Sequence, residues 1–131
     1  MKLIKILLNH KKINFAIAIM LTIIIAILCL MKPSDTAVLD IRHFDKVYHG
    51  LAYFFLTFFW LLAFRKKSNN FPILLCCFFY GIIIEVLQSS LTTFRSGEYF
   101  DIVANTVGVL LAFAVFRLFL IKNILFKKNS L

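Results

Sequence analysis

Glu85 lies within the apolar run from Phe71 to Gln88, a stretch long enough to cross a bilayer. A carboxylate inside such a run costs roughly 2.5–3.5 kcal/mol by insertion scales, so it normally faces protein or water and takes a partner. The residues able to serve it recur at helical spacing. Asp45, His49 and Tyr53 fall at i, i+4 and i+8; Gly81, Glu85 and Gln88 at i, i+4 and i+7; Asp101, Asn105 and Gly108 at i, i+4 and i+7. Such separations share one helix face, so each of three helices carries one polar stripe. Thr92 and Arg95 continue the second stripe if that helix runs on.

The residue types allow acid–base chemistry. Glu85 with His49 or Asp101 makes a proton-transfer pair, which sets these three as candidate catalytic groups. Arg95, Gln88, Asn105, Asp45 and Tyr53 are candidate ligand contacts, and arginine suits the planar, bidentate recognition of phosphate or carboxylate. Each residue also has a purely structural reading. Glu85 can fix helix register through Gln88 or Arg95, and His49 can simply hydrogen-bond Asp45 one turn back. Asp45 and Asp101 sit where helices begin, so capping or the positive helix end accounts for either. Arg95 can be a loop charge, Asn105 an interhelical hydrogen-bonder, Tyr53 a packing group, and His10 and His43 solvent residues. A metal centre through His49, Glu85 and Asp101 has one histidine and no H-E-x-x-H pattern, which is weak. No cofactor is implied. A serine nucleophile beside His49 would have to come from Ser89, Ser90 or Ser96, none of which sits in a recognisable motif.

Four apolar stretches must position these groups: Ile13–Met31, Val47–Phe64, Phe71–Leu91 and Ile102–Ile121. Each matches the roughly 20 residues that a bilayer core asks of a helix. Helix is the only solution, because four segments cannot close a membrane barrel. The chain's 62% hydrophobic content and mean hydropathy of +0.92 exceed those of a soluble domain. The expected fold is therefore all-α, a single-domain bundle of four transmembrane helices over 131 residues. Counted from the outer surface at about 1.5 Å per residue, Asn105 lies roughly 6 Å below Asp101 and Glu85 about 9 Å inside Leu91. All three stripes then share one leaflet.

Eleven of the 15 basic residues flank the ends of these spans on one side: Lys2, Lys5, Lys11, Lys12, Arg65, Lys66, Lys67, Arg117, Lys122, Lys127 and Lys128. Lys32, Arg42, Lys46 and Arg95 share the other side with Asp35, Asp40, Asp45, Glu98 and Asp101. The positive-inside rule places both termini in the cytoplasm and the polar stripes outside. The net charge of +9 is thereby explained by topology and anionic lipid rather than by nucleic acid. The first span is read as a retained anchor, since its apolar run is too long for a signal peptide and no small-x-small site follows it. Cys29, Cys76 and Cys77 all lie in spans and read as apolar filler.

The segment Asp45-Lys46-Val47-Tyr48-His49-Gly50-Leu51-Ala52-Tyr53 resembles the first signature of the VanZ-like family, D-K-x-x-H-x-x-x-Y. Gly81, Glu85, Gln88, Arg95, Asp101, Asn105 and Gly108 resemble its second, G-x-x-x-E-x-x-Q, then R, then D-x-x-x-N-x-x-G. The likeness runs from about Phe44 to Ala112, where Ala112 replaces a further glycine common in the family. It implies a short multi-span protein of the bacterial cytoplasmic membrane, in a family whose named member is associated with low-level teicoplanin resistance. No reaction follows from it. Two functions are expected. The first is an outward-facing pocket for a lipid headgroup or a glycopeptide or cell-wall-type ligand. The alternative is a membrane hydrolase or transferase acting on an envelope lipid through Glu85. A third reading, an assembly subunit locked by its polar residues, has no chemistry. Membrane lipids are the expected surroundings; the oligomeric state is open.

Overall fold

The computed structural model describes residues 10–31, 42–65, 69–91 and 99–128. They form four helices: α1 Lys11–Leu30, α2 Arg42–Ala63, α3 Phe71–Leu91 and α4 Tyr99–Lys128. No strand occurs among the described residues. All four helices are long and apolar enough to cross a membrane. The architecture is that of a multi-pass membrane protein.

Helix ends depart from the apolar runs in a consistent way. α2 begins before Val47 and α4 continues past Ile121, so both extend into the flanking polar sequence. Helical hydrogen bonding does not stop where hydrocarbon stops. Asp45 and Asp101 consequently lie in the first turns of α2 and α4, where the positive helix end favours a carboxylate. α3 starts at a clear stop-and-start signal. Asn69 Oδ1 accepts from the Phe71 N–H at 2.9 Å, and Pro72 occupies the first turn, where its missing N–H costs nothing.

Packing runs the helices up and down. The end of α1 meets the end of α3 through Gln88 Nε2, which donates to the Cys29 carbonyl at 2.8 Å. The start of α2 meets the start of α4 through Lys46 and Asp101, 3.6 Å apart. These contacts lie at one end of the bundle. At the opposite end, Phe15 of α1 packs edge-on against Trp60 and Phe64 of α2, and Lys11 lies over the Phe64 ring.

The core divides into two apolar clusters. Ile25, Cys29, Tyr53, Leu56, Cys77, Ile84 and Val109 pack below the polar end, and Leu61, Leu62 and Phe116 pack nearer the other. Many large apolar side chains stay on the outside, among them Leu28, Val86, Leu110 and Leu118. In water these would be a liability. In a bilayer they are the lipid-facing surface.

α2 and α4 approach each other backbone to backbone. A Cβ on Gly108 would collide with the Gly50 carbonyl oxygen and meet the Phe54 nitrogen at 3.0 Å. Backbone lies against backbone there, the arrangement small residues allow at membrane helix crossings. Gly81 serves differently: it makes room for the Tyr53 ring and Asn105.

Candidate functional site

Directly above that crossing, three helices bring their polar stripes together. His49 of α2 is the hub. Its Nδ1 lies 3.2 Å from Asn105 Oδ1 on α4 and 3.8 Å from Glu85 Oε1 on α3. Its Nε2 lies 3.9 Å from Asp45 Oδ1, one turn earlier on α2. Asn105 Oδ1 is an acceptor, so the contact is a hydrogen bond in the tautomer that carries a proton on Nδ1, which turns Nε2 toward Asp45.

His49, Glu85, Asp101 and Asn105 are all buried, at 7%, 3%, 5% and 3% exposure. These buried polar groups gather around the imidazole, although Asp101 Oδ1 accepts no hydrogen bond there and Asn105 Nδ2 donates none. Glu85 therefore points into the bundle. The imidazole stands between carboxylates, with Glu85 toward Nδ1 and Asp45 toward Nε2. That geometry suits proton transfer, ligand binding through a mixed set of donors and acceptors, and cation binding.

Each residue singled out from sequence can now be placed. Asp101 is held by Lys46 of α2 at 3.6 Å. Gln88 is fully buried, and its amide nitrogen faces α1, where it satisfies the Cys29 carbonyl. That carbonyl belongs to the last turn of α1, where carbonyls draw donors from outside the helix. Tyr53 is fully buried beneath His49 with its ring tilted against Tyr80. Arg95 and His43's side chain lie outside the described residues, as does Ser96. Ser89 and Ser90 are exposed on α3, and Ser89 Oγ donates to the Val86 carbonyl at 2.9 Å. His10 is exposed.

Three features were not drawn from the sequence. Lys46 is one: it neighbours Asp45 in the D-K-x-x-H pattern, and that adjacency was the available signal. The second is the way α1 is fastened. Tyr80 donates to the Thr22 carbonyl at 2.6 Å, and Trp60 Nε1 donates to Thr22 Oγ1 at 3.3 Å; a threonine in the middle of the apolar run of α1 was the clue. The third is a cavity of about 190 Å³ in which Ile25, Leu28 and Cys29 of α1 face Asp45, His49 and Tyr53 of α2. A second, apolar groove of about 370 Å³ lies between α1, α2 and α3, lined by residues including Leu56, Trp60, Cys77 and Tyr80.

Residues 7–120 match the sequence profile of the VanZ/LLP1 family. The chain belongs to that family. The match takes in all four helices but for the last turns of α4, so the polar hub of His49, Glu85 and Asn105 is carried within the VanZ/LLP1 region. A curated protein similar to this one is the uncharacterized protein C11E3.10 of Schizosaccharomyces pombe, 40% identical over 90 residues, or 66% of this chain. The chain spans about half the length of that relative, 51%. No solved structure matches it.

Proposed function

We propose that this VanZ/LLP1 protein binds the headgroup of a membrane lipid in the polar cluster around His49, without chemical turnover. The observation that carries the reading is the convergence of His49, Glu85, Asn105 and Asp45 from three helices at one end of the bundle. Charge bias along the sequence puts that end outside and the basic ends of the helices in the cytoplasm.

Charge narrows the ligand. The described cluster holds the carboxylates of Asp45, Glu85 and Asp101 against the ammonium of Lys46. An amine-bearing headgroup, or a phosphate accompanied by a cation, suits this balance better than a bare anion. Arg95, one turn or so beyond α3 in sequence, would supply a phosphate contact. A relative in a yeast argues for a lipid shared across kingdoms over a wall precursor special to bacteria. Tolerance of teicoplanin-type glycopeptides would then follow from altered lipid presentation at the surface.

One observation favours a second reading. The Asp45–His49–Glu85 line is a carboxylate–imidazole–carboxylate arrangement, with Glu85 able to act as acid or base toward an envelope lipid. Lipid analysis separates the two. The envelope lipids of a deletion strain and a Glu85→Gln strain are compared by mass spectrometry, together with the lipids that co-purify with each protein. Binding predicts unchanged envelope lipids and loss of the co-purifying species in Glu85→Gln. Catalysis predicts that the same uncleaved lipid accumulates in both strains. If Glu85→Gln retains the lipid while Glu85→Leu fails to fold, Glu85 only sets register; if no lipid co-purifies with the parent protein, the binding reading is refuted.

A further inference from the structure

We infer that Asp45, His49 and Asp101 form a site for a divalent cation of the zinc or manganese class. One ring nitrogen of His49 and one carboxylate oxygen from each aspartate lie within 4.8 Å of one another. Metal–ligand bonds of about 2.0–2.2 Å place ligand atoms roughly 3–4 Å apart. His49 Nε2 and Asp45 Oδ1, at 3.9 Å, already meet that spacing. Modest rotation of the short aspartate side chains would complete the set. The sequence alone suggested Glu85 as the third ligand, but the structure puts Glu85 by the opposite ring nitrogen.

Two further observations point to an ion. Asp101 is 95% buried by its 5% exposure; its Oδ1 accepts no hydrogen bond and is ion-paired with Lys46 Nζ at 3.6 Å. That is longer than a charge-assisted hydrogen bond, so a buried carboxylate oxygen held this way has room for a closer cation. Independently, Asn105 lies outside the ligand set and holds His49 Nδ1. An outer partner of this kind fixes the tautomer and aims Nε2 at a metal.

Ligand chemistry selects the ion class. One imidazole and two carboxylates suit zinc or manganese, whereas calcium asks for six to eight oxygens. Three protein ligands leave at least one coordination position open. If the headgroup reading holds, that position takes a phosphate oxygen; the cation site itself does not depend on it.

The test uses the full chain in nanodiscs, tag removed, in a His10→Gln, His43→Gln background and stripped with chelator. Zn²⁺ and Mn²⁺ are titrated against a fluorescent competitor, with bound metal counted by elemental mass spectrometry. One ion per chain is expected, with affinity falling at least a hundredfold in Asp101→Asn and His49→Gln. Asn105→Ala should weaken it by about 10–100-fold, as lost outer partners do. Lys46→Met should bind more tightly, because it removes the ammonium competing for Asp101; this variant keeps the test decisive if Asp101→Asn does not fold. Substoichiometric metal in the parent protein, or equal affinity in His49→Gln and Lys46→Met, overturns the site. Lipid retained by metal-free protein would preserve the headgroup reading while the cation proposal falls.

Discussion

Gly50 and Gly108 occupy the same α2–α4 crossing, yet replacing them with alanine should have opposite consequences. At Gly108 the added Cβ runs into the Gly50 carbonyl oxygen and lies 3.0 Å from the Phe54 nitrogen and 3.1 Å from the Gly50 carbonyl carbon. All three atoms are backbone, so no side chain can turn aside. Restoring contacts of about 3.5 Å requires the two helices to part by roughly an ångström at this level. Overpacking of a well-packed site costs about 1–3 kcal/mol, and rigid neighbours place Gly108→Ala toward the upper end. Alanine regains about 1 kcal/mol of helix propensity. The net loss should be near 2 kcal/mol, roughly thirtyfold in the unfolding equilibrium. At Gly50 the nearest atom to an added Cβ is the Ala104 carbonyl oxygen at 3.5 Å, an ordinary contact. Gly50→Ala should be neutral or slightly stabilising. Reversible unfolding in mixed micelles, followed by the fluorescence of the single tryptophan, Trp60, measures both. Gly108→Ala should also stretch the 3.2 Å His49–Asn105 bond, which sits one turn away. Equal stabilities for the two variants would mean that α2 and α4 do not cross as described.

Gln88→Leu should free the Cys29 carbonyl at the end of α1 and cost about 1–3 kcal/mol in the same unfolding assay; a neutral result would detach Gln88 from α1. Tyr80→Phe removes one interhelical hydrogen bond to Thr22 and should cost only about 0.6 kcal/mol, the usual value between membrane helices. In a background lacking the native cysteines, Ser34→Cys should react with an impermeant maleimide on intact cells and Ser68→Cys only after permeabilisation. The reverse labelling pattern would invert the orientation and place the polar cluster in the cytoplasmic leaflet.

Legibility from sequence followed the strength of the constraint. Bilayer thickness forces a helix of about 20 apolar residues, and the four helices appear where those runs are. The convergence of Glu85, His49, Asp101 and Asn105 was also legible, because a polar stripe in hydrocarbon has nowhere to face except another stripe. What each member touches was not legible. The direction of Gln88 toward α1 depends on where the final carbonyls of α1 happen to lie, and no periodicity carries that. Nor does spacing reveal which imidazole edge faces which carboxylate. Helix ends were misplaced by several residues for α2 and α4 because hydropathy marks the edge of the lipid phase, not of the helix.

The small cavity beside His49 has one wall of ordinary hydrocarbon, formed by Ile25, Leu28 and Cys29 of the first helix, and one wall of ionisable groups. Behind it the second and fourth helices are clasped at Gly50 and Gly108, so that side cannot yield. If the cavity takes a lipid headgroup as proposed, the first helix rather than that clasped seam is the wall past which the lipid would enter from the bilayer, with its tails left among their neighbours.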